Sequence, residues 1–95
     1  MTKFSTEEAQ TTLAKLEGWS LNAQGEITRT FALSGFVQAL TFVNAVGLLA
    51  EAAQHHPDIT INWRRVTLAL TTHDASGLTD KDINLAEQIN RLPMI

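Results

Sequence analysis

With 95 residues and a formal net charge of −3, the chain has room for one hydrophobic core and not for two. Its 44% apolar and 18% charged residues are those of a globular domain and exclude a disordered chain. The absence of cysteine excludes a disulfide scaffold, a thiol nucleophile, thiolate-ligated zinc and an iron–sulfur cluster, and the seven Lys and Arg form no basic stripe of the kind that nucleic-acid binding needs.

No apolar h-region opens the chain, so a signal peptide is not expected. Ser5-Thr6-Glu7-Glu8 has capping-box spacing, in which the serine hydroxyl accepts from a first-turn amide and Glu8 reaches back. Ala9, Leu13 and Leu16 follow at i, i+4 and i+7 as one apolar stripe, and Gly18 is placed to stop the helix. Residues 19–22 read as a short strand and Asn22-Ala23-Gln24-Gly25 as a turn. Residues 26–33 then alternate, with Ile27, Arg29, Phe31 and Leu33 on one face and Glu26, Thr28, Thr30 and Ala32 on the other, which predicts a hairpin.

Ser34 is placed to cap a helix over 36–53. Its stripe is Phe36, Leu40, Val43 and Ala50, widened by Val37, Val46 and Leu49. Only Gln38, Thr41, Asn44 and Glu51 are clearly polar. Such a helix is either covered by its own sheet and neighbouring helices or packed against a second subunit, and its polar residues argue against a membrane span. Pro57 ends the helix and biases His56 toward an extended conformation.

Residues 58–63 and 66–73 alternate in turn and predict a second hairpin turning near Arg64-Arg65. Val66, Leu68 and Leu70 suit a core. The Thr67 face is only half polar and is open to solvent, ligand or another subunit. After a loop at Asp74-Ala75-Ser76-Gly77, Thr79-Asp80-Lys81-Asp82 forms a second capping box, with Asp in place of Glu. Ile83, Ala86 and Ile89, with Leu85 and Leu92, give the last helix its apolar side, and Pro93 ends it. The order α-β-β-α-β-β-α, in a single domain over 1–95, predicts an α+β two-layer sandwich: a four-stranded antiparallel sheet with helices on one face.

The three histidines, His55, His56 and His73, fall within nineteen residues, the one concentration of groups that titrate near neutral pH. His55 and His56 stand at a bend between helix and strand, where adjacent side chains can converge. Pairing of the second hairpin sets the start of its first strand beside the end of its second, so His56-Pro57 lies next to Thr72-His73. One site holding three histidines is predicted, with Glu51 one helical turn before His55 to orient an imidazole. Three chemistries fit: a three-histidine zinc site, metal-free acid–base catalysis, or capping and solvation of a helix end. The zinc spacing is a poor match, lacking His-x-His or a helical i, i+4 pair. No nucleophile elbow surrounds any serine, and no glycine-rich loop could cradle phosphate.

The run Glu51-Ala52-Ala53-Gln54-His55-His56-Pro57-Asp58, then Trp63, Val66, Thr71-Thr72-His73-Asp74, Gly77-Leu78-Thr79 and Asp82-Ile83, resembles the pterin-4a-carbinolamine dehydratase family. Trp19, Arg29-Thr30-Phe31, Phe36 and Phe42-Val43 extend the resemblance over nearly the whole chain. It implies a cytoplasmic lyase that removes water from 4a-hydroxytetrahydropterin to give quinonoid dihydropterin, in tetrahydrobiopterin recycling, with no metal and no cofactor. By resemblance, His55, His56 and His73 are the catalytic set: His55 and His73 transfer protons and His56 holds the pterin. Glu51 and Asp74 belong to the substrate-binding set, Thr71 and Thr72 present backbone groups to the pterin, and Pro57 shapes the pocket wall. Gln54 stands where animal members often carry an acid, Ile59 replaces an aromatic, Ala75 replaces a cysteine, and Trp63 is expected to pack structurally. The implied partners are the pterin itself, further copies of the chain as a homodimer or homotetramer, and an aromatic amino acid hydroxylase, with no nucleic acid and no membrane. The alternative function is a non-catalytic dimerisation or protein-binding module that uses the apolar helix over 36–53.

Overall fold

A computed structural model of the protein describes residues 2–93. Its elements run α1 (Thr6–Leu13), β1 (Ser20–Leu21), β2 (Ile27–Ala32), α2 (Phe36–Ala53), β3 (Asp58–Asn62), β4 (Arg65–Leu70), a 3-10 turn (His73–Ala75) and α3 (Asp80–Asn90). The strands form one antiparallel sheet in the order β1-β2-β4-β3, the α+β sandwich expected. The central β2–β4 pairing, with Ile27 opposite Leu70 and Phe31 opposite Val66, joins the two hairpins into one sheet.

One sheet face carries Ile27, Phe31, Val66, Leu68 and Leu70, all buried against the helices. The opposite face is small and polar, and there the Thr30 and Thr67 hydroxyls meet at 2.9 Å. Arg29 shares the buried face. Its guanidinium lies 4.4 Å from the Phe31 ring centroid and bonds Glu17 O and Asn90 Oδ1, so the charge is satisfied rather than stranded. Asn90 Oδ1 also accepts from Trp19 Nε1 at 2.8 Å, tying the end of α3 to the start of the sheet.

Helix α1 opens with both halves of its capping box: Glu8 N donates to Ser5 Oγ at 3.1 Å, and Ser5 N donates to Glu8 Oε1 at 2.8 Å. The Ser5 amide holds the Glu8 carboxyl below its ordinary range. The helix stops at Leu13, earlier than Gly18, because two i→i−3 bonds (Lys15 N to Thr12 O, Leu16 N to Leu13 O) tighten the chain and turn Leu16 and Trp19 into the core. Gly18 lies in the following turn at φ +84°, where a Cβ would strike the Arg29 guanidinium.

Helix α2 has the expected bounds, but Gly35 and not Ser34 occupies its N-cap position. Ala39, Phe42, Val46 and Ala50 form the buried stripe, whereas Phe36 and Leu40, expected on it, are exposed together with Val37 and Leu48. A helix apolar on all sides carries no periodic signal for its rotation. Packing of Phe42 on Phe31, ring centroids 4.8 Å apart, sets it. By length and mean hydropathy (1.5 over 18 residues) α2 also meets the composition of a membrane-crossing helix, which corrects the view that its polar residues preclude one; core helices of water-soluble folds meet the same test.

The second hairpin turns at Trp63-Arg64, one residue earlier than expected, with Asn62 paired to Arg65. A two-residue connection between twisted strands requires positive φ, and Trp63 supplies it at 57°. Trp63 therefore leaves the sheet: it is 68% exposed, its ring under the Arg64 guanidinium, and does not pack in the core.

Candidate active site

Helix α2 ends in a Schellman motif. Gln54 adopts the left-handed conformation (φ 53°, ψ 41°), its amide bonds Glu51 O, and the His55 amide bonds Ala50 O. The helix thus ends at Ala53, four residues before Pro57. The reversal at Gln54 sends His55 inward and leaves His56 outside: His55 is buried and His56 exposed. On the other side of the site β4 ends at Leu70, and a bridge between Thr72 and Gly77 closes a loop around the 3-10 turn. His73 begins that turn instead of ending a strand, because the chain has to reverse toward α3.

His55 Nε2 lies 2.6 Å from Asp82 Oδ1, and Asp82 is fully buried. Asp82 Oδ2 accepts from Thr72 Oγ1 at 2.8 Å and from the Thr79 amide at 2.9 Å. The Thr72 and Thr79 hydroxyls meet at 2.8 Å. Asp82 is also the capping-box residue of α3, so one side chain starts the last helix and holds an imidazole. In the sequence Asp82 shows as a cap, and its place downstream in the run that resembles the family is the one signal of a second role. His56 Nε2 lies 2.6 Å from Glu51 Oε1 in an exposed pair.

His55, His56 and His73 all line one cleft of about 260 Å³, with Thr71, Thr72 and Asp74. Gln54, noted above as a departure from the family pattern, and Lys81, which no sequence signal marked for the site, complete its lining. Glu51 reaches the cleft through His56, and Pro57, half-buried, is not among the described residues that line it. Thr72 does not offer its main chain as expected, since its amide bonds Gly77 O and its carbonyl takes the Gly77 and Ala75 amides. Size does not distinguish this cleft, because grooves beside α1 measure about 240 and 320 Å³. Its three imidazoles do. Among the described residues no group of three His, Cys, Asp or Glu side chains is arranged to hold a metal ion.

A small α+β sandwich whose sheet end and helix ends enclose a histidine cleft defines the class. The family model described as pterin 4 alpha carbinolamine dehydratase matches residues 2–92, and the chain belongs to that family. A Roseiflexus sp. (strain RS-1) protein named "Putative pterin-4-alpha-carbinolamine dehydratase" is 53% identical over 91 residues, covering 96% of this chain and 97% of its own. One of the same name from Chloroflexus aggregans is 51% identical over 92 residues, covering 97% and 98%. The crystal structure of a transcriptional coactivator/pterin dehydratase from Brucella melitensis superposes with a TM-score of 0.89 at 32% identity, over 94% of this chain and 96% of that one. A pterin dehydratase-like protein identified as a RuBisCO assembly factor in the alpha-carboxysome shares the fold at 18% identity and a TM-score of 0.67, over 78% of this chain and 87% of that one.

Proposed function

We propose that this protein removes water from 4a-hydroxytetrahydropterin to give quinonoid dihydropterin, by histidine acid–base catalysis, within tetrahydrobiopterin recycling in the cytoplasm. One imidazole protonates the 4a-hydroxyl, which otherwise leaves poorly. Another takes the N5 proton as the C4a–N5 double bond forms. Imidazoles do both near neutral pH, so the reaction asks for no metal or cofactor. The observation that carries the reading is the meeting of His55, His56 and His73 on one cleft in a chain of this family. In this reading His55 and His73 transfer protons, His56 with Glu51 holds the pterin, and Thr71 and Asp74 line its edge. The substrate would arise from an aromatic amino acid hydroxylase.

The test is the dehydration of enzymatically generated 4a-hydroxytetrahydropterin, followed by absorbance with and without chelator. Turnover that survives chelator and falls by about 10²–10⁴-fold in His55→Ala or His73→Ala supports the reading. A folded wild type no faster than buffer overturns it.

A second reading has its own observation. Val37, Leu40 and Leu48 lie on one exposed side of α2, Val37 67% and Leu48 74% exposed. Apolar area of this kind favours a contact surface, and a homodimer or homotetramer is the occupant proposed. Histidine substitution separates the two functions, because it removes dehydration and leaves assembly intact.

A further inference from the structure

We infer that the buried Asp82 carboxylate, held by Thr72 and Thr79, fixes His55 in the tautomer protonated on Nε2, so that Nδ1 is the atom through which His55 accepts a proton in the cleft. This rests on the dehydratase reading and adds which atom works and what holds it.

With Asp82 as a carboxylate, the hydrogen-bond directions have one consistent solution. The Thr79 amide can only donate, and it reaches Asp82 Oδ2 at 2.9 Å. The Thr72 hydroxyl donates its single proton to the same oxygen at 2.8 Å. Thr79 Oγ1, 2.8 Å from Thr72 Oγ1, therefore donates to Thr72, and it accepts the Lys81 amide at 3.3 Å. Two donors on Oδ2 suit a carboxylate, whose oxygens only accept, and Oδ1 faces Nε2 at 2.6 Å. An acceptor there requires the proton on Nε2. Among the described residues no buried side-chain nitrogen or oxygen lacks a partner, and Nδ1 bonds none of them, so its lone pair opens to the cleft that His55 lines.

The chemistry follows from that placement. N5 gives its proton to Nδ1, and the N5–H electron pair forms the C4a–N5 double bond. The C4a–O pair departs with the oxygen as water, protonated by the second imidazole, His73. Both rings return to their starting states by proton exchange with solvent. The imidazolium formed on His55 is stabilised by the carboxylate on its far side, which water does not reach. Asp82, Thr72 and Thr79 are positioning residues: they act on the pterin through His55.

The experiment reads the ¹⁵N shifts of the His55 ring in labelled protein, together with kcat and KM for 4a-hydroxytetrahydropterin. The wild type is expected to show the Nε2–H tautomer. Asp82→Asn keeps an oxygen beneath the Thr72 and Thr79 donors and so turns its NH₂ toward Nε2, which moves the neutral ring's proton to Nδ1. That variant is expected to melt cooperatively, show the inverted tautomer and lose about 10²–10⁴-fold in kcat, with KM changed far less. An Nδ1–H tautomer in the wild type overturns the inference, as does an inverted tautomer with kcat unchanged. If Asp82→Asn fails to fold, Thr72→Val and Thr72→Ser carry the test. Valine removes a donor from Oδ2 and is expected to lower kcat several-fold with serine restoring it; equal kcat in the two variants overturns the inference. A wild type without turnover fails the dehydratase reading, whereas the ring spectrum still tests the tautomer by itself.

Discussion

Glu51 Oε1 and His56 Nε2 stand 2.6 Å apart across the end of α2, with 71% and 61% of their side chains exposed. Solvent screens such a pair, so it orients the imidazole far more than it stabilises the fold. Glu51→Gln is expected to change stability by less than about 1 kcal/mol. In the dehydration assay it should raise KM several-fold and leave kcat in place, the pattern of an interaction made equally in ground and transition states. An equal fall in kcat and kcat/KM would assign His56 to the chemical step instead.

Gln54 holds a left-handed conformation that glycine adopts without strain. Gln54→Gly is therefore expected to stabilise the protein by about 1 kcal/mol, measured by urea unfolding, since the relief exceeds the added chain entropy. A loss of stability would mean that the Gln54 side-chain bond to Glu51 O outweighs the strain.

The exposed side of α2 predicts assembly. Light scattering on the purified protein is expected to give a dimer or tetramer, and Leu48→Glu to lower the mass without altering the circular dichroism spectrum, because Leu48 makes no core contact. A monomeric wild type removes the self-association proposal.

The capping box of α1 gives a pH signature. The Glu8 carboxyl is held below its ordinary range by the Ser5 amide. Its stabilising contribution is therefore fully present above the unfolded-state pKa and is lost as pH falls through the lower folded-state value. The stability difference between wild type and Glu8→Gln should be measurable at pH 7 and vanish in strong acid. A difference that grows on acidification contradicts this assignment.

Much of the fold was legible because its signals are local. Period-2 alternation marked β2 and β4, and Thr79 with Asp82 marked the start of α3. Boundaries slipped where a backbone reversal had to satisfy tertiary packing: Leu13 for Gly18 and Trp63 for Arg64, whereas α2 kept its bounds but is ended by the reversal at Gln54 ahead of Pro57. The reversals at Gln54 and Trp63 use non-glycine residues at positive φ, which composition does not signal.

By itself the sequence determined the element order, the capping boxes and the convergence of three histidines, because hairpin pairing brings Asp58 and Ala69 side by side and with them the residues that flank them. Only the tertiary structure decided which imidazole is held from behind. Asp82 reaches His55 across 27 residues of chain, and that contact forms only once α3 has docked on α2 and carried its own first turn beneath the ring. The rotation of α2 was decided in the same way, because a helix apolar all round takes its buried face from what packs on it.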